Sequence, residues 1–81
     1  MSKKIPALPP KEVLRTLLKK KAGFYVDHQT GSHVYLKHYH DPTLRVPIPM
    51  HAKDIKRGTL AGILRKAKLS RDEFLSLLRN A

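Results

Sequence analysis

Apolar residues early in the chain recur at the spacing of one helix face. Four of them share this face: Val13, Leu14, Leu17 and Leu18. Lysines and arginines lie on the opposite face, as expected for an amphipathic helix with one solvated side. Pro10 suits the first turn of a helix, and Gly23 suits its C-terminal stop. The pattern therefore predicts a helix that begins near Pro10 and ends near Gly23.

After Gly23 the apolar period changes to two, which is typical of strands. In the first predicted strand Phe24, Val26 and His28 share one face. A second strand is expected from about Ser32 to His38, and a third from Leu44 to Met50. Each of the three has one apolar face, so we expect an antiparallel meander with one side covered.

Two prolines in the third segment, Pro47 and Pro49, do not exclude a strand there. Residues two apart direct their backbone nitrogens to the same lateral side, so both missing donors can lie on one unpaired edge. Proline at that edge also hinders pairing with another chain. The sequence therefore predicts an edge strand.

Two further helices are expected downstream. The first begins at or just before Thr59, and its apolar stripe consists of Leu60, Ile63, Leu64 and Ala67. The second follows a capping-box pattern at Ser70 and Glu73. The order α-β-β-β-α-α predicts an α+β domain similar to the double-stranded-RNA-binding fold, with helices on one face of a three-stranded antiparallel sheet. We expect residues 1–9, rich in proline and lysine, to be a flexible leader and residues 10–81 to form a single domain.

Charge narrows the possible partners. The chain of 81 residues has a formal net charge of +11, from 17 Lys and Arg against 6 Asp and Glu. Such a field attracts polyanions, so RNA, DNA or an acidic protein is the expected partner. No apolar run approaches the ~20 residues of a membrane span. With 0 cysteines and no signal-like segment, the expectation is a cytoplasmic protein without disulfides or thiolate metal sites.

The register of the first hairpin decides which polar residues meet on the open face. A two-residue turn at Thr30-Gly31 would set Val26 opposite Tyr35, which mixes apolar and polar positions. A three-residue loop, Gln29 to Gly31, avoids this conflict, and Gly31 then supplies the left-handed residue of a bulge. This register pairs Val26 with Val34, Phe24 with Leu36, Tyr25 with Tyr35, and Asp27 with His33. We therefore expect Asp27 to orient the His33 ring.

RNA cleavage without a metal needs a base for the 2′-hydroxyl, an acid for the departing 5′-oxygen, and cations at the phosphate. Histidine suits both proton transfers. From the residues alone His33 is a candidate catalytic residue, with Ser32 and His51 as supporting candidates, and the alternative is that His33 is a solvated strand residue. Lys37 and Arg45 are predicted phosphate clamps, and Tyr25 and Tyr35 are predicted to stack on bases. The second proton-transfer group stays open between His51 and His28.

Short motifs along the chain carry a resemblance to a known family. They are Gly23-Phe24, Gly31-Ser32-His33, Val46-Pro47-Ile48-Pro49 followed by His51, Gly58-Thr59-Leu60, Ile63-Leu64, Leu69-Ser70 and Glu73-Phe74. In order and spacing, from about Lys11 to Asn80, they resemble the HicA toxins of bacterial HicAB toxin–antitoxin systems. The resemblance implies an mRNA interferase that acts without ribosome, metal or other cofactor. It also implies a catalytic histidine at His33 and neutralisation by a HicB antitoxin.

The chain departs from the family pattern at two places. Members commonly have glycine where this chain has Lys68, and a shorter turn where it has residues 39–43. The main alternative function is a non-catalytic, basic RNA- or DNA-binding module with the same fold. A zinc site at His38, His40 and His51 is disfavoured because no carboxylate or cysteine completes it. When free, the protein is expected to be a monomer or a weak homodimer.

Overall fold

The structure is a computed structural model that describes residues 5–80. Within that range the chain forms three helices and three strands. They are α1 (Pro10–Leu17), β1 (Phe24–Thr30), β2 (His33–His38), β3 (Arg45–Pro49), α2 (Arg57–Ala67) and α3 (Arg71–Arg79). The strands form one antiparallel sheet in the order β1-β2-β3. The predicted α+β fold of the double-stranded-RNA-binding type is confirmed.

One face of the sheet packs against the helices and forms the core. The sheet contributes Phe24, Val34, Leu36, Val46 and Ile48, and the helices contribute chiefly Val13, Leu17, Leu60, Ile63, Leu64 and Phe74. Both α1 and α2 pack against β3, which leaves β1 at the margin of the covered area. Val26 is consequently 47% exposed although its ladder partner Leu36 is buried. In residues 5–80, no helix has the length and apolar character needed to cross a membrane.

Helix α1 ends earlier than the sequence predicts. Its last residue is Leu17, and a separate turn follows before β1. The Gly23 N–H donates to the Lys19 carbonyl at 3.0 Å, with φ of +82° at Gly23, so this glycine ends the turn and not the helix. The Lys19 ammonium donates to the carbonyl oxygens of Leu77 and Asn80. Lys19 thus leaves the helix to cap the C-terminus of α3, where a positive charge is favourable.

The predicted leader is wrong for the residues that the structure describes. Ile5 is 4% exposed and belongs to the core. Leu8 exchanges two backbone hydrogen bonds with Ile55, at 3.2 Å from its own N–H and 2.6 Å to its carbonyl. Residues 5–9 are therefore part of the domain, because they close the core beside the segment that precedes α2. The rest of the predicted leader, residues 1–4, lies outside the described residues.

The proline-containing strand β3 lies at a sheet edge, as predicted. The Met50 N–H donates to the Ser32 carbonyl of the neighbouring chain segment at 2.6 Å. Since alternate residues of a strand direct their amides to the same side, the nitrogens of Pro47 and Pro49 face away from β2. Neither proline costs the sheet a hydrogen bond.

The predicted register of the β1-β2 hairpin is wrong. The turn consists of Gly31 and Ser32, so Thr30 pairs with His33, and Gly31 adopts a positive φ of +56°. Continued without interruption, this register would set Val26 opposite Lys37. A bulge at Asp27 instead shifts the register, so that Val26 pairs with Leu36 while His28 pairs with Tyr35.

The bulge also changes which face the β1 residues that follow it occupy. Tyr25 pairs with Lys37 and not with Tyr35, and Asp27 is not opposite His33. His28 leaves the apolar face, where the alternation placed it, and joins the open face with its partner Tyr35. The turn requires the register that pairs Thr30 with His33, whereas the apolar face requires the register that pairs Val26 with Leu36. The two registers differ by one residue, and the insertion of Asp27 allows both pairings in one hairpin.

The last two helices follow the predicted signals. Ser70 and Glu73 form a reciprocal capping box, with the Glu73 N–H donating to Ser70 Oγ at 3.0 Å and the Ser70 N–H to Glu73 Oε1 at 2.8 Å. Between the two helices, Lys68 adopts the left-handed conformation with φ of +56°. This is the position at which family members commonly have glycine, so the departure noted in the sequence carries a local conformational strain.

Candidate active site

Strand β2 presents alternate polar side chains on the sheet face away from the helices. His33, Tyr35 and Lys37 occupy this open face, and all three are partly exposed. Their partners on β3 are Pro49, Pro47 and Arg45 in the same order. The central strand is held on both sides by the ladder, so it positions these three side chains on a rigid element.

His33 lies beside His51. The two ring centroids are 6.0 Å apart, with the planes inclined at 55°. The backbone explains this approach, because the Met50 N–H bonds to the Ser32 carbonyl at 2.6 Å and holds the end of β3 against the β1-β2 turn. Of the two histidines left open as a second proton-transfer group, His51 is the one that the structure brings next to His33. Ser32, predicted as a supporting residue, contributes to this site through its backbone carbonyl, which accepts the hydrogen bond from Met50.

Asp27 contacts His28 and not His33. Its Oδ2 lies 2.7 Å from His28 Nδ1, and its Oδ1 lies 3.6 Å from the Lys37 ammonium. The hydrogen bond from His28, supported by the Lys37 charge, holds the pKa of Asp27 below its ordinary value. The expectation that Asp27 orients the His33 ring is wrong, because the two-residue turn at Gly31 and Ser32 sets Thr30 opposite His33.

Tyr35 is the ring neighbour of two histidines of the open face. Its ring is stacked on His28, with centroids 4.6 Å apart and planes 10° apart. The His33 ring, two positions along the same strand, is 6.2 Å away. Tyr35 is therefore adjacent to both the His33–His51 pair and the Asp27–His28 pair.

A groove of about 920 Å³ opens on the His28 side of Tyr35. Five cationic residues line it: Lys37, Arg45, Arg65, Lys66 and Lys68. Asp27 is the one acidic residue that lines it in the described part of the chain. A cleft lined by charges of one sign concentrates the field, so this groove is the strongest site for a polyanion that the geometry offers. The predicted clamps Lys37 and Arg45, which are ladder partners, both lie in it.

Three of these cations, Arg65, Lys66 and Lys68, were not predicted as site residues. They come from the end of α2 and the residue that caps it. In the sequence they look like the ordinary basic end of a helix, and only the path of α2 beside β3 brings them to the sheet groove. The available signal was the clustering of three cations within four positions.

The predicted tyrosine pair does not form. Tyr25 packs against Tyr39, with ring centroids 4.6 Å apart and planes inclined at 36°. Both line a separate depression of about 780 Å³ that also includes Leu18 and Val26. Tyr25 is thus not part of the groove lining, and one face of Tyr35 is already covered by His28.

His38 has a structural role. Its Nε2 lies 3.1 Å from the Ala22 carbonyl, and its Nδ1 accepts the N–H groups of His40 and Asp41 at 3.1 and 3.2 Å. Both ring nitrogens are therefore engaged by the backbone, which leaves neither for a metal. Across residues 5–80, no group of three or more His, Asp or Glu side chains is placed to hold a metal ion.

Fold and site together define a small basic α+β protein of the double-stranded-RNA-binding type, with a cationic groove and a histidine pair on its open sheet face. A family model described as the HicA toxin of bacterial toxin-antitoxin matches residues 10–69. The match covers well over half of the chain, and the chain belongs to this family of toxins. No curated protein matches it.

Proposed function

We propose that this protein is an mRNA interferase, an endoribonuclease that acts without a metal and uses His33 as its catalytic residue. The observation that carries the proposal is the pairing of His33 with His51, 6.0 Å apart, beside a groove lined by five cations. Membership of the HicA toxin family supports the toxin role.

The reaction needs two proton transfers on one phosphodiester. A base takes the proton of the 2′-hydroxyl, and the 2′-oxygen bonds to phosphorus while the bond from phosphorus to the 5′-oxygen breaks. An acid then protonates the departing 5′-oxygen. The products are a 2′,3′-cyclic phosphate and a 5′-hydroxyl end. His33 and His51 take these two roles between them, because imidazole exchanges protons near neutral pH.

The spacing of the two rings supports this assignment. A group that transfers a proton must lie within about 2.6–3.2 Å of the reacting atom. The ring centroids of His33 and His51 are 6.0 Å apart, so the two imidazoles are close enough to reach different oxygens of one phosphodiester. A single phosphodiester can therefore contact both imidazoles.

The cationic groove positions the strand and offsets its charge. Lys37 and Arg45 form the next open-face pair of the ladder beyond Tyr35 and Pro47, counted from His33. Their ammonium and guanidinium groups bind neighbouring phosphates and hold the cleaved bond at His33. The same groove favours a second candidate function, a binding module that holds RNA or DNA without cutting it.

The test is cleavage of single-stranded RNA by purified wild type and by His33→Ala in the presence of a chelator. End-group analysis of the fragments identifies the chemistry. The matched control is His40→Ala, because the His40 backbone N–H that bonds to His38 is kept and its exposed ring lies outside the groove. Cleavage by wild type and His40→Ala alone, with cyclic phosphate ends, supports the proposal. Equal RNA binding with no cleavage by any of the three proteins favours the binding module.

We further propose a HicB-type antitoxin as the protein partner. A toxin with a net charge of +11 is best covered by an acidic surface, since complementary charge speeds association and selects the partner. Co-purification of the toxin with a small acidic protein encoded beside it, and loss of RNA cleavage in that complex, would support this. A complex that still cleaves RNA would contradict it.

A further inference from the structure

The bulge in β1 places two consecutive side chains on the same face of the sheet. Consecutive residues of a regular strand point to opposite faces. Asp27 is the inserted residue, and both Asp27 and His28 lie on the open face, where they line the cationic groove. Bulges frequently occur next to active sites, where they redirect a side chain.

The His28 ring is held from two directions. Its Nδ1 is hydrogen-bonded to Asp27 Oδ2 at 2.7 Å, and its plane is stacked on Tyr35 at 4.6 Å. Asp27 is itself held by the Lys37 ammonium at 3.6 Å. The His28 side chain nevertheless remains 55% exposed, so an oriented imidazole faces the groove.

This arrangement determines which atom of His28 is available. A carboxylate can only accept a hydrogen bond, so Nδ1 carries the proton that is shared with Asp27. In the neutral ring Nε2 is then an acceptor. The lysines and arginines that line the groove are donors only, so His28 Nε2 offers an acceptor that these cations do not.

The chemistry of nucleic acids supplies a partner for such an acceptor. Phosphate oxygens accept hydrogen bonds and match the lysines and arginines. A ribose 2′-hydroxyl can donate one, and DNA lacks that group. Tyr35 is the ring neighbour of both His28 and His33, with centroids 4.6 and 6.2 Å from its own. His28 lines the groove and His33 does not, so we expect a strand in the groove to meet them at different nucleotides.

We infer that Asp27 and His28 form a 2′-hydroxyl-binding subsite, which recognises the ribose of a nucleotide close to the cleaved one and gives the groove its preference for RNA over DNA. His28 is a positioning residue here, because it contacts a sugar that does not react. The location of the cleaved bond rests on the proposed function, whereas the binding preference does not depend on cleavage.

The experiment measures binding in a His33→Ala background, so that the RNA survives. Fluorescence anisotropy gives Kd values for a short single-stranded RNA, the DNA of the same sequence, and RNAs that carry one 2′-deoxy substitution at each successive position. The measurements are made at a pH of about 8, where an unperturbed imidazole is neutral. His28→Ala and Asp27→Ala are compared with His40→Ala, and thermal unfolding checks that each variant is folded.

The expected result is that the His33→Ala protein binds RNA about 2- to 10-fold more tightly than DNA, the size of one net hydrogen bond. A single 2′-deoxy substitution at one or two particular positions of the RNA should weaken binding to about the level of the DNA. Adding His28→Ala should remove both the preference and the sensitive position, and Asp27→Ala should weaken them, while His40→Ala should leave them intact.

Three results would overturn the inference: no preference for RNA before His28 is changed, a preference that survives His28→Ala, or an equal loss of RNA and DNA binding. The last would make His28 a phosphate contact. Failure of the proposed function gives a different result. Wild type would then leave RNA uncut, while the dependence of the RNA preference on His28 would remain.

Discussion

His28 lies flat against Tyr35 on the open face of the sheet, with ring centroids 4.6 Å apart and planes 10° apart. The apolar alternation of β1 assigns His28 to the opposite face, and the bulge at Asp27 reverses that assignment. Tyr35 is also the ring neighbour of His33, with centroids 6.2 Å apart. The open face therefore has two histidine sites, one paired with His51 and one with Asp27.

Removal of either histidine of the His33–His51 pair should abolish most RNA cleavage. General acid–base catalysis contributes about 10²–10⁴-fold, so His33→Ala and His51→Ala should each lower kcat by a factor in that range. RNA affinity should change little, because the groove cations are untouched. The measurement is single-turnover cleavage of an end-labelled RNA together with its Kd. A His51→Ala protein with wild-type kcat would exclude His51 from proton transfer.

The groove cations should determine the salt dependence of RNA binding. For single strands the slope of log K against log salt changes by roughly 0.7 for each phosphate contact that is lost. Arg45→Ala and Lys66→Ala should each reduce the slope by about this amount, because both residues line the groove. Lys20→Ala is the control, since Lys20 is exposed outside the groove and lines the depression near Tyr39.

Tyr25→Ala tests the base-stacking prediction that the structure does not support. Tyr25 packs against Tyr39 and lines a depression distinct from the groove. We expect its substitution to change the RNA Kd less than the roughly 1–3 kcal/mol that a stacked base is worth. A larger loss, measured by anisotropy in the His33→Ala background, would show that the strand extends over β1.

Lys68→Gly should stabilise the fold. Lys68 caps α2 with φ of +56°, a conformation that costs an L-residue about 1–2 kcal/mol and glycine little. After the extra entropy of glycine in the unfolded chain, the net gain is roughly 0.5–1 kcal/mol. The change in the free energy of unfolding is measured with urea. Lys66→Gly is the control and should destabilise the protein, because Lys66 lies within the helix. A less stable Lys68→Gly would contradict the strain at this cap.

Gly23→Ala should destabilise the protein by about 2 kcal/mol or more. A Cβ on Gly23 would lie 2.7 Å from His38 Nε2, and the φ of +82° disfavours any L-residue. The His38 ring cannot move away cheaply, because Ala22, His40 and Asp41 bond to it. Gly58→Ala is the matched control in α2, where an added Cβ meets nothing within 4 Å in the described structure. It should be neutral or stabilising by up to ~1 kcal/mol.

Acid should weaken the fold through its hydrogen-bonded carboxylates. The Thr43 hydroxyl and N–H donate to Asp41 and lower its pKa, and the Ser70 N–H does the same for Glu73. When folding lowers the pKa of a carboxyl group, its contribution to stability is fully present above the ordinary pKa of that group. The contribution is lost as the pH falls through the folded-state pKa. The unfolding temperature should therefore fall between about pH 5 and pH 2. The Asp41→Asn, Glu73→Gln double variant should show a shallower fall.

Local signals in the sequence accounted for most of the fold. The capping box at Ser70 depends on residues three positions apart, and the edge position of β3 follows from the spacing of Pro47 and Pro49. The earlier end of α1 was not visible in this way, because Lys19 caps α3, some 60 positions further along the chain. Ile5 and Leu8 likewise pack through contacts with distant residues.

The sequence by itself determined the fold class and the strongly basic character of the protein. It also placed His33, Tyr35 and Lys37 on the open face of the sheet. Periodicity follows from local spacing and charge from composition, so both can be obtained without the tertiary structure. Only the tertiary structure decided the partners of those residues. The two-residue turn at Gly31 and Ser32 set Thr30 opposite His33, and the bulge at Asp27 put His28 on the open face beside Tyr35. The approach of α2 to β3 added Arg65 and Lys66 to the groove. Register is set by the competition between turn geometry and core pairing over the whole sheet, which no local pattern reports.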